Sequence, residues 1–293
     1  MWARVSEHED IDMVDPADLL EQAVAARDSG NLEEAARLFN TAGNIYMSVA
    51  EYGDALEAFT RSLELFRQTD DEEGVGDALY NLGVAQINLE QWADAAKSCE
   101  EAAKIFSKVS NDAGSADALY ALALAHLGLG QFEEAMKLFK KAQRAYKALG
   151  NNQGVAAILM DIGNAYAERE DWVNAEKAFK KALKVYQELD DPAGIGDAYS
   201  LLGDIAEVNN NQRKAAEYFV EAAENYLRAE LTDVAREAVE RAEGKLWDIP
   251  KATRRRLRKR IDDIIDGLPE EITEEEDDED LDFGDDFLSD AGL

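Results

Sequence analysis

The feature that most constrains this fold is a step of forty residues at which the same residue types return. One series of small residues stands in mid-unit at Gly43, Gly83, Ala123, Gly163 and Gly203. A second series follows at Ala55, Ala95, Ala135, Ala175 and Ala215. Larger side chains come four residues later, at Phe59, Cys99, Phe139, Phe179 and Phe219. Self-similarity at a fixed period of this size predicts a stack of identical supersecondary units.

Each unit has the pattern of two helices. Apolar residues recur at three- and four-residue spacing, as in Leu79, Leu82 and Ile87, which is the period of an α-helix and not that of a strand. Breaks recur every twenty residues, so each helix has about 18 residues and a length of roughly 27 Å. We therefore predict an all-α fold of stacked antiparallel helix pairs, with about 13 helices in the chain.

The domain organisation follows from where this pattern begins and ends. Residues 1–15 form a flexible acidic leader, residues 16–267 the helical stack, and residues 268–293 an acidic tail. The stack divides into an N-terminal helix at 16–30, five repeats at about 32–235, and capping helices at about 232–247 and 250–266. Residues 270–293 hold thirteen acidic side chains and no basic one. A segment of this composition cannot offset its ordering entropy by burial, so we expect disorder.

The two series of small residues predict where helix axes approach closely. Gly163 on a first helix and Ala175 on a second are such points. We expect phenylalanines such as Phe179 to fill the gap to the following pair. A glycine inside a helix costs about 0.5–1 kcal/mol relative to alanine, so its return at a fixed position indicates a packing requirement.

The stretch Ala78-Leu79-Tyr80-Asn81-Leu82-Gly83, followed by Trp92, Ala95, Cys99 and Ala102, resembles the tetratricopeptide repeat. The forty-residue step is similar to the variant found in kinesin light chains and in mammalian regulators of spindle orientation. The resemblance implies a right-handed α-solenoid in which first helices line a concave groove and second helices face outward. It also implies a role in binding other proteins, without naming a partner.

Net charge narrows the partner class. The formal net charge is −32. Nucleic acid is disfavoured as a partner, because affinity for phosphates depends on lysine and arginine. An acidic protein suits basic protein partners. No run of about 18 apolar residues is present, so no membrane span is expected. The acidic start lacks the positive charge of a signal peptide, so we predict a cytoplasmic location.

The first helices supply the candidate groove. From residue 73 to residue 210 these helices carry several acids and a single cation, Arg169, so the groove should be electronegative. Asn44, Asn81 and Asn164 are the preferred polar contacts, because an amide can bond to an extended backbone of any sequence. The candidate lining is Asn40, Asn44, Asp77, Tyr80, Asn81, Asp117, Tyr120, Leu124, Met160, Asp161, Asn164, Asp197, Ser200 and Asp204.

One function of the resembled family is excluded. Its co-chaperones grip a terminal carboxylate with two asparagines and several cations. Asn44 and Asn81 stand at the asparagine positions, but Asn40, Asp117 and Ala121 stand at the cationic ones. A carboxylate would meet negative charge there, so this chain is not predicted to be a carboxylate-clamp co-chaperone.

The second helices carry a basic outer ladder. Two hypotheses remain open for it: exposed pairing with acids such as Glu134 and Glu176, or loose, salt-sensitive binding of the acidic tail together with Arg254–Arg260. The tail also contains apolar side chains, Leu281, Phe283, Phe287 and Leu288, which fit either a partner-binding motif or a solubilising tail. The ladder comprises Lys97, Lys137, Lys140, Lys141, Arg144, Lys177, Lys180, Lys181 and Lys184.

No catalytic pattern is present in the sequence. His126 falls at a core-facing position of the resembled repeat, and the single cysteine, Cys99, stands in the series of buried phenylalanines. No phosphate-binding glycine loop occurs, and acids do not combine with histidines at metal-ligand spacing. We predict a non-enzyme without cofactor or metal.

Two functions of different class follow. The first is a scaffold or adaptor that binds a basic-to-apolar peptide or helix in an acidic concave groove. The second is a chaperone-like factor whose acidic tail shields basic clients. A weaker third hypothesis is a regulator whose tail occupies its own groove. Trp247 and Ile249 also leave weak self-association through the terminal helices open.

Overall fold

The computed structural model of the chain describes residues 15–269. The leader and the tail motif at residues 281–288 therefore lie outside the described residues, although Asp15, assigned above to the leader, caps the first helix. Thirteen α-helices and no strand are found between residues 15 and 269. The helices are α1 Pro16–Asp28, α2 Leu32–Ser48, α3 Tyr52–Phe66, α4 Glu72–Asn88, α5 Trp92–Lys108, α6 Asp112–Gly128, α7 Phe132–Ala148, α8 Asn152–Glu168, α9 Trp172–Leu189, α10 Pro192–Val208, α11 Gln212–Arg228, α12 Thr232–Lys245 and α13 Lys251–Gly267, with a 3₁₀ turn at Leu246–Asp248 before α13.

Consecutive helices pack against each other along the whole stack. The first helices of the pairs are α2, α4, α6, α8, α10 and α12, and each is followed by its second helix. The second residue after a helix commonly takes a left-handed conformation, as at Glu90 (φ 57°) and Gly130 (φ 70°). Such a residue ends a helix and reverses the chain, which explains the breaks at twenty-residue steps.

The mid-helix glycines lie against aromatic rings of their own pair. A Cβ atom added at Gly163 would stand 2.3 Å from Phe179, and one added at Gly203 would stand 2.4 Å from Phe219. These phenylalanines also pack toward the following pair, as expected, since Phe179 belongs to one buried cluster with Leu202 and Ile205 of α10. Gly163 and Phe179 are sixteen residues apart and are separated by one turn, so they lie level with each other on two antiparallel helices.

A second set of glycines explains how pairs join. The side chain of Asp71 accepts a hydrogen bond from the N–H of Gly74 (2.8 Å), which caps α4. The ring of Phe66, from the preceding second helix, packs on the same glycine. Asn111, Asn151 and Asp191 cap α6, α8 and α10 in the same way. Each junction thus combines a helix cap with a ring packed on a glycine.

The last pair departs from this scheme. Glu243 on α12 stands forty residues after Gly203 and is exposed, so no close glycine contact is available to a partner helix. Accordingly α13 packs more on α11 than on α12. Leu257, Ile261 and Ile264 bury its apolar side.

Candidate functional site

The first helices form one continuous face. α2 contacts α4, and α4 contacts α6. Asn81 donates a hydrogen bond to Asn40 across the first two of these helices (3.0 Å). Tyr120 donates one to Asp161 across α6 and α8 (2.5 Å). We call the exposed side of α2, α4, α6, α8 and α10 the inner face, and that of α5, α7 and α9 the outer face.

Charge divides between the two faces. No lysine or arginine occurs within α4, α6, α8 or α10. Every one of α5, α7 and α9 contains several. Arg169 directly follows α8, and its guanidinium lies over the ring of Phe132, 4.4 Å from the centroid. The helices that form the inner face from α4 to α10 therefore contribute acids but no cation of their own.

Three acids of the inner face accept hydrogen bonds from tyrosines. Asp117 accepts from Tyr146 (2.6 Å) and Asp161 from Tyr120. Asp197 accepts from Tyr226 (2.9 Å). These side chains are half-buried, so they hold helices together as well as carrying charge.

Burial changes the acidity of these groups. It raises the pKa of Asp117 and of Asp161, and the hydrogen bond from the tyrosine offsets part of that rise. The pKa values of Tyr120 and Tyr146 are also raised, first by burial and then by the neighbouring carboxylates. Each tyrosine therefore stays a donor over the whole physiological range.

The C-terminal end of the inner face differs from the expected acidic groove. Arg241 on α12 pairs with Asp204 and with Glu207 (2.9 Å to the latter), and Lys245 also pairs with Glu207. Burial alone would raise the pKa of Glu207, but the hydrogen bonds from Lys245 and Arg241 outweigh it and lower that pKa. The face is locally neutralised here, because α12 acts as a further first helix and brings cations.

The remaining candidates differ in how free they are to bind. Asn44, Asp77 and Asn164 are exposed and have no hydrogen-bonding or ionic partner within the described residues. Tyr80, Leu124, Met160 and Ser200 are half-buried. Asn40 and Asn81 are half-buried and bonded to each other, so a ligand reaching them competes with that bond. The exposed subset is therefore smaller than the set predicted from the sequence.

The outer ladder is only partly paired. Lys97 pairs with Asp94, Lys137 with Glu134 and Lys180 with Glu176. Lys184 lies 3.7 Å from Glu188. These pairs are exposed and contribute little to stability. Five cations of the ladder have no acid within 4 Å among residues 15–269: Lys140, Lys141, Arg144, Lys177 and Lys181.

The basic helix α13 is partly committed to α11. Arg256 pairs with Glu217 (2.8 Å), and Arg260 with Glu221 (2.9 Å) and Glu224 (2.5 Å). These two arginines therefore pair with acids of α11, whereas the sequence predicted that they bind the acidic tail. The sequence contains a pattern that indicates this pairing, because the three acids stand forty residues after three lysines of the ladder, Lys177, Lys181 and Lys184.

The exposed apolar surface at the C-terminal end of the helical stack is smaller than predicted. Trp247 is 73% exposed, but Ile249 is buried at 4%. Arg254 lies 5.8 Å from the centroid of the Trp247 ring and donates to the carbonyl oxygen of Trp247. One aromatic side chain, and not a pair, is thus open for self-association.

The reactive side chains are placed as follows. Cys99 is buried, and burial raises the pKa of its thiol to about 12. His126 lies half-buried at the surface, not in the core, with Nδ1 2.6 Å from Oε1 of Gln131.

Over residues 15–269, no cluster of His, Cys, Asp or Glu suited to a metal ion is found. In the same range no helix is long and apolar enough to cross a membrane.

A stack of antiparallel helix pairs with a continuous inner face defines an α-solenoid repeat protein. The family model described as tetratricopeptide repeat matches residues 75–148 and 154–228, about half of the chain. The chain therefore belongs to the tetratricopeptide repeat family, as the resemblance of its motifs predicted. Proteins of this family are in general non-enzymatic interaction scaffolds. Comparison with curated protein sequences gives no significant match.

Three solved structures illustrate the likeness. BtubC (BKLC) from P. vanneervenii has 19% identity and a TM-score of 0.61, covering 74% of this chain and 89% of its own. The Rap conjugation gene regulator of plasmid pLS20, in complex with the Phr* peptide, has 13% identity and a TM-score of 0.56, covering 90% and 80%. A thermophilic TPR protein of Thermus thermophilus, TTC0263, has 20% identity and a TM-score of 0.50, covering 70% and 98%. At these identities the likeness concerns the fold alone.

Proposed function

We propose that the inner face binds a basic-to-apolar peptide or helix of another protein, so that the chain acts as a scaffold or adaptor. The observation that carries this proposal is the complete lack of lysine and arginine in four successive first helices, α4, α6, α8 and α10. Acids and amides without competing cations favour a ligand that brings positive charge. The pLS20 Rap regulator, which has a similar fold, is itself known in complex with a peptide.

Each kind of side chain on the face has a distinct task in this proposal. Asn44 and Asn164 are exposed amides that bond to the backbone of the ligand. Asp77 meets a cation of the ligand, while Leu124 and Met160 offer apolar contact near the centre of the face. Affinity should concentrate at the centre, because only groups shielded from water bind strongly.

Charge reversal at exposed positions tests the proposal. Partners are first captured on the full chain and identified, and their binding to purified variants is then measured by calorimetry. Asp77→Lys with Asn164→Lys should weaken binding at least tenfold, because both new cations oppose a basic ligand. Glu133→Lys with Glu100→Lys, on the second helices α7 and α5, adds positive charge away from the inner face and should change affinity less than twofold. Equal effects of the two double variants would contradict the proposal.

The alternative, a chaperone-like factor that shields basic clients with its acidic tail, rests on the thirteen acids of residues 270–293. A chain ending at Pro269 separates the two. Binding is retained if the inner face is responsible and lost if the tail is. A cytoplasmic location, the absence of catalysis and the absence of a cofactor stay predictions from the sequence.

A further inference from the structure

The outer face carries a basic strip that extends over two helices. α7 contributes Lys141, Arg144 and Lys147, and α9 contributes Lys181 and Lys184. All five side chains are exposed. Within the described residues only Lys184 has an acid within 4 Å, the carboxylate of Glu188 at 3.7 Å. Like charges on one face repel one another unless an anionic group lies between them.

The next second helix inverts this pattern. Glu221 and Glu224 on α11 stand forty residues after Lys181 and Lys184. There the acids hold Arg260 of α13 with two hydrogen-bonded ion pairs. The same positions of the repeat are thus basic on α7 and α9 and acidic on α11, and on α11 they bind a segment of the same chain, α13. By complementarity, the basic strip fits an acidic segment.

A cleft lies between α7 and α9 beside the strip. Its volume is about 400 Å³, and its apolar lining comes from the buried Val155 and Leu159 of α8 and the half-buried Val185 of α9. The charged residues that line it are three lysines and one acid: Lys147, Lys181, Lys184 and Glu188. A second cleft, between α5 and α7, is larger at about 810 Å³, but Glu100 and Glu134 line it alongside lysines. The cleft between α7 and α9 is the more basic of the two.

One segment of this chain matches the cleft in chemistry. Residues 281–288 place Leu281, Phe283, Phe287 and Leu288 among acids. The apolar side chains suit the lining and the aspartates suit the lysines. An acidic stretch without aromatic groups would satisfy only the second requirement.

The segment also reaches the cleft from where the chain leaves the stack. Gly267, at the end of α13, lies beside Leu227 near the end of α11. Besides residues of α8, the cleft is lined by the C-terminal halves of α7 and α9, so Gly267 and the cleft lie at the same end of the second helices. Eleven residues lie between Pro269 and Leu281, and the twelve steps from one Cα atom to the next span up to about 40 Å when extended. The path past α11 to α9 crosses two to three helix widths, roughly 20–30 Å at about 10 Å for each helix.

We propose that residues 281–288 of this chain dock intramolecularly in the cleft between α7 and α9, with aromatic side chains on its apolar lining and aspartates on the basic strip. Docking there leaves the inner face open, in contrast to a tail that occupies the groove. The proposal is independent of the partner bound at the inner face.

Paramagnetic broadening tests the site. Ser289→Cys is labelled with a nitroxide in the isotopically labelled full chain, and Cys99 does not compete because it is buried. At about 0.1 M salt, amide signals in the C-terminal halves of α7 and α9 should lose at least half their intensity. Raising the salt to about 1 M should restore them, because the Debye length falls from about 10 Å to about 3 Å.

Matched variants separate this site from general attraction. Lys181→Glu with Lys184→Glu should abolish the broadening, while Lys97→Glu with Lys104→Glu on α5, an equal charge change, should leave it in place. Phe283→Ser with Phe287→Ser should reduce it at least twofold. The proposal would be overturned by broadening centred on α13 or on the inner face, by equal loss in both lysine variants, or by no effect of the phenylalanine changes. It would also be overturned if, in a mixture of two copies, the nitroxide on one copy broadened the signals of a second copy that carries no nitroxide.

Discussion

The ring of Phe179 lies over Gly163 so closely that a Cβ atom at Gly163 would stand 2.3 Å from Cε1 of the ring. Both residues are buried, and the ring has no space to retreat into a close-packed interior. Gly163→Ala should therefore lower stability by about 1–2 kcal/mol, since overpacking outweighs the gain in helix propensity. Thermal unfolding should show a Tm lower by about 2–8 °C.

Gly244 on α12 is the control for that change. A Cβ atom there meets nothing within 4 Å, so Gly244→Ala should leave Tm unchanged or raise it by a few degrees. If both alanine variants shifted Tm in the same direction, the close contact at Gly163 would not be the cause.

Arg260 should anchor α13 to the stack. Arg260→Gln leaves Glu221 and Glu224 without their cation, and the Arg260 side chain is only 28% exposed. We expect a local loss of about 1–2 kcal/mol, discounted for partial exposure. Hydrogen exchange of the α13 amides should then accelerate roughly tenfold. Lys259→Gln, at an exposed neighbouring position, should leave the exchange rates as they are, and matching rates in the two variants would argue against the anchor.

Tyr80 should make the fold sensitive to alkali. Burial, reinforced by Asp117, raises the pKa of its phenol to about 12, against about 10 in an unfolded chain. The unfolded state loses this proton first, so stability is complete below pH 10 and is lost as the pH rises from about 10 to about 12. The loss from this one group approaches about 2–3 kcal/mol.

Tyr80→Phe removes that contribution. No hydrogen bond of the Tyr80 hydroxyl is found within residues 15–269, so the variant should match the parent chain in urea unfolding at about pH 8. At about pH 11.5 it should be the more stable of the two by about 2 kcal/mol. An identical alkaline loss in both proteins would show that Tyr80 ionises as freely folded as unfolded.

Cys99 should report on the opening of the α4–α5 pair. Its sulfur lies against Gly83, where an added Cβ atom would stand 2.4 Å from Sγ, and burial raises the pKa of the thiol to about 12. Only the thiolate reacts, so a thiol reagent at about pH 8 should modify the folded chain at least a hundredfold more slowly than the chain in urea. Ser107→Cys, exposed on α5, supplies a fast-reacting control thiol. Equal reactivity of the two thiols would mean that the pair opens freely.

Much of the local arrangement followed from spacing. The forty-residue step and the three- and four-residue apolar period predicted helix pairs, and the burial of Phe179 and Cys99 agrees with their position in one series. The packing of Phe179 toward the following pair was predicted, but its contact with Gly163 of its own pair was not, although the two residues are sixteen positions apart across one turn. The basic character of α13 was recognised, but its acidic partners on α11 were not.

The sequence by itself determined the repeating helical unit, since side-chain period and helix breaks act over a few residues. Only the tertiary structure decided which charges remain free. Tyr120 meets Asp161 and Arg260 meets Glu224 because stacking places residues 36 to 41 positions apart within hydrogen-bonding distance. The number of acids in the sequence therefore does not give the number that a ligand can contact, because packing of successive helix pairs brings a hydrogen-bonding or ionic partner to some of them.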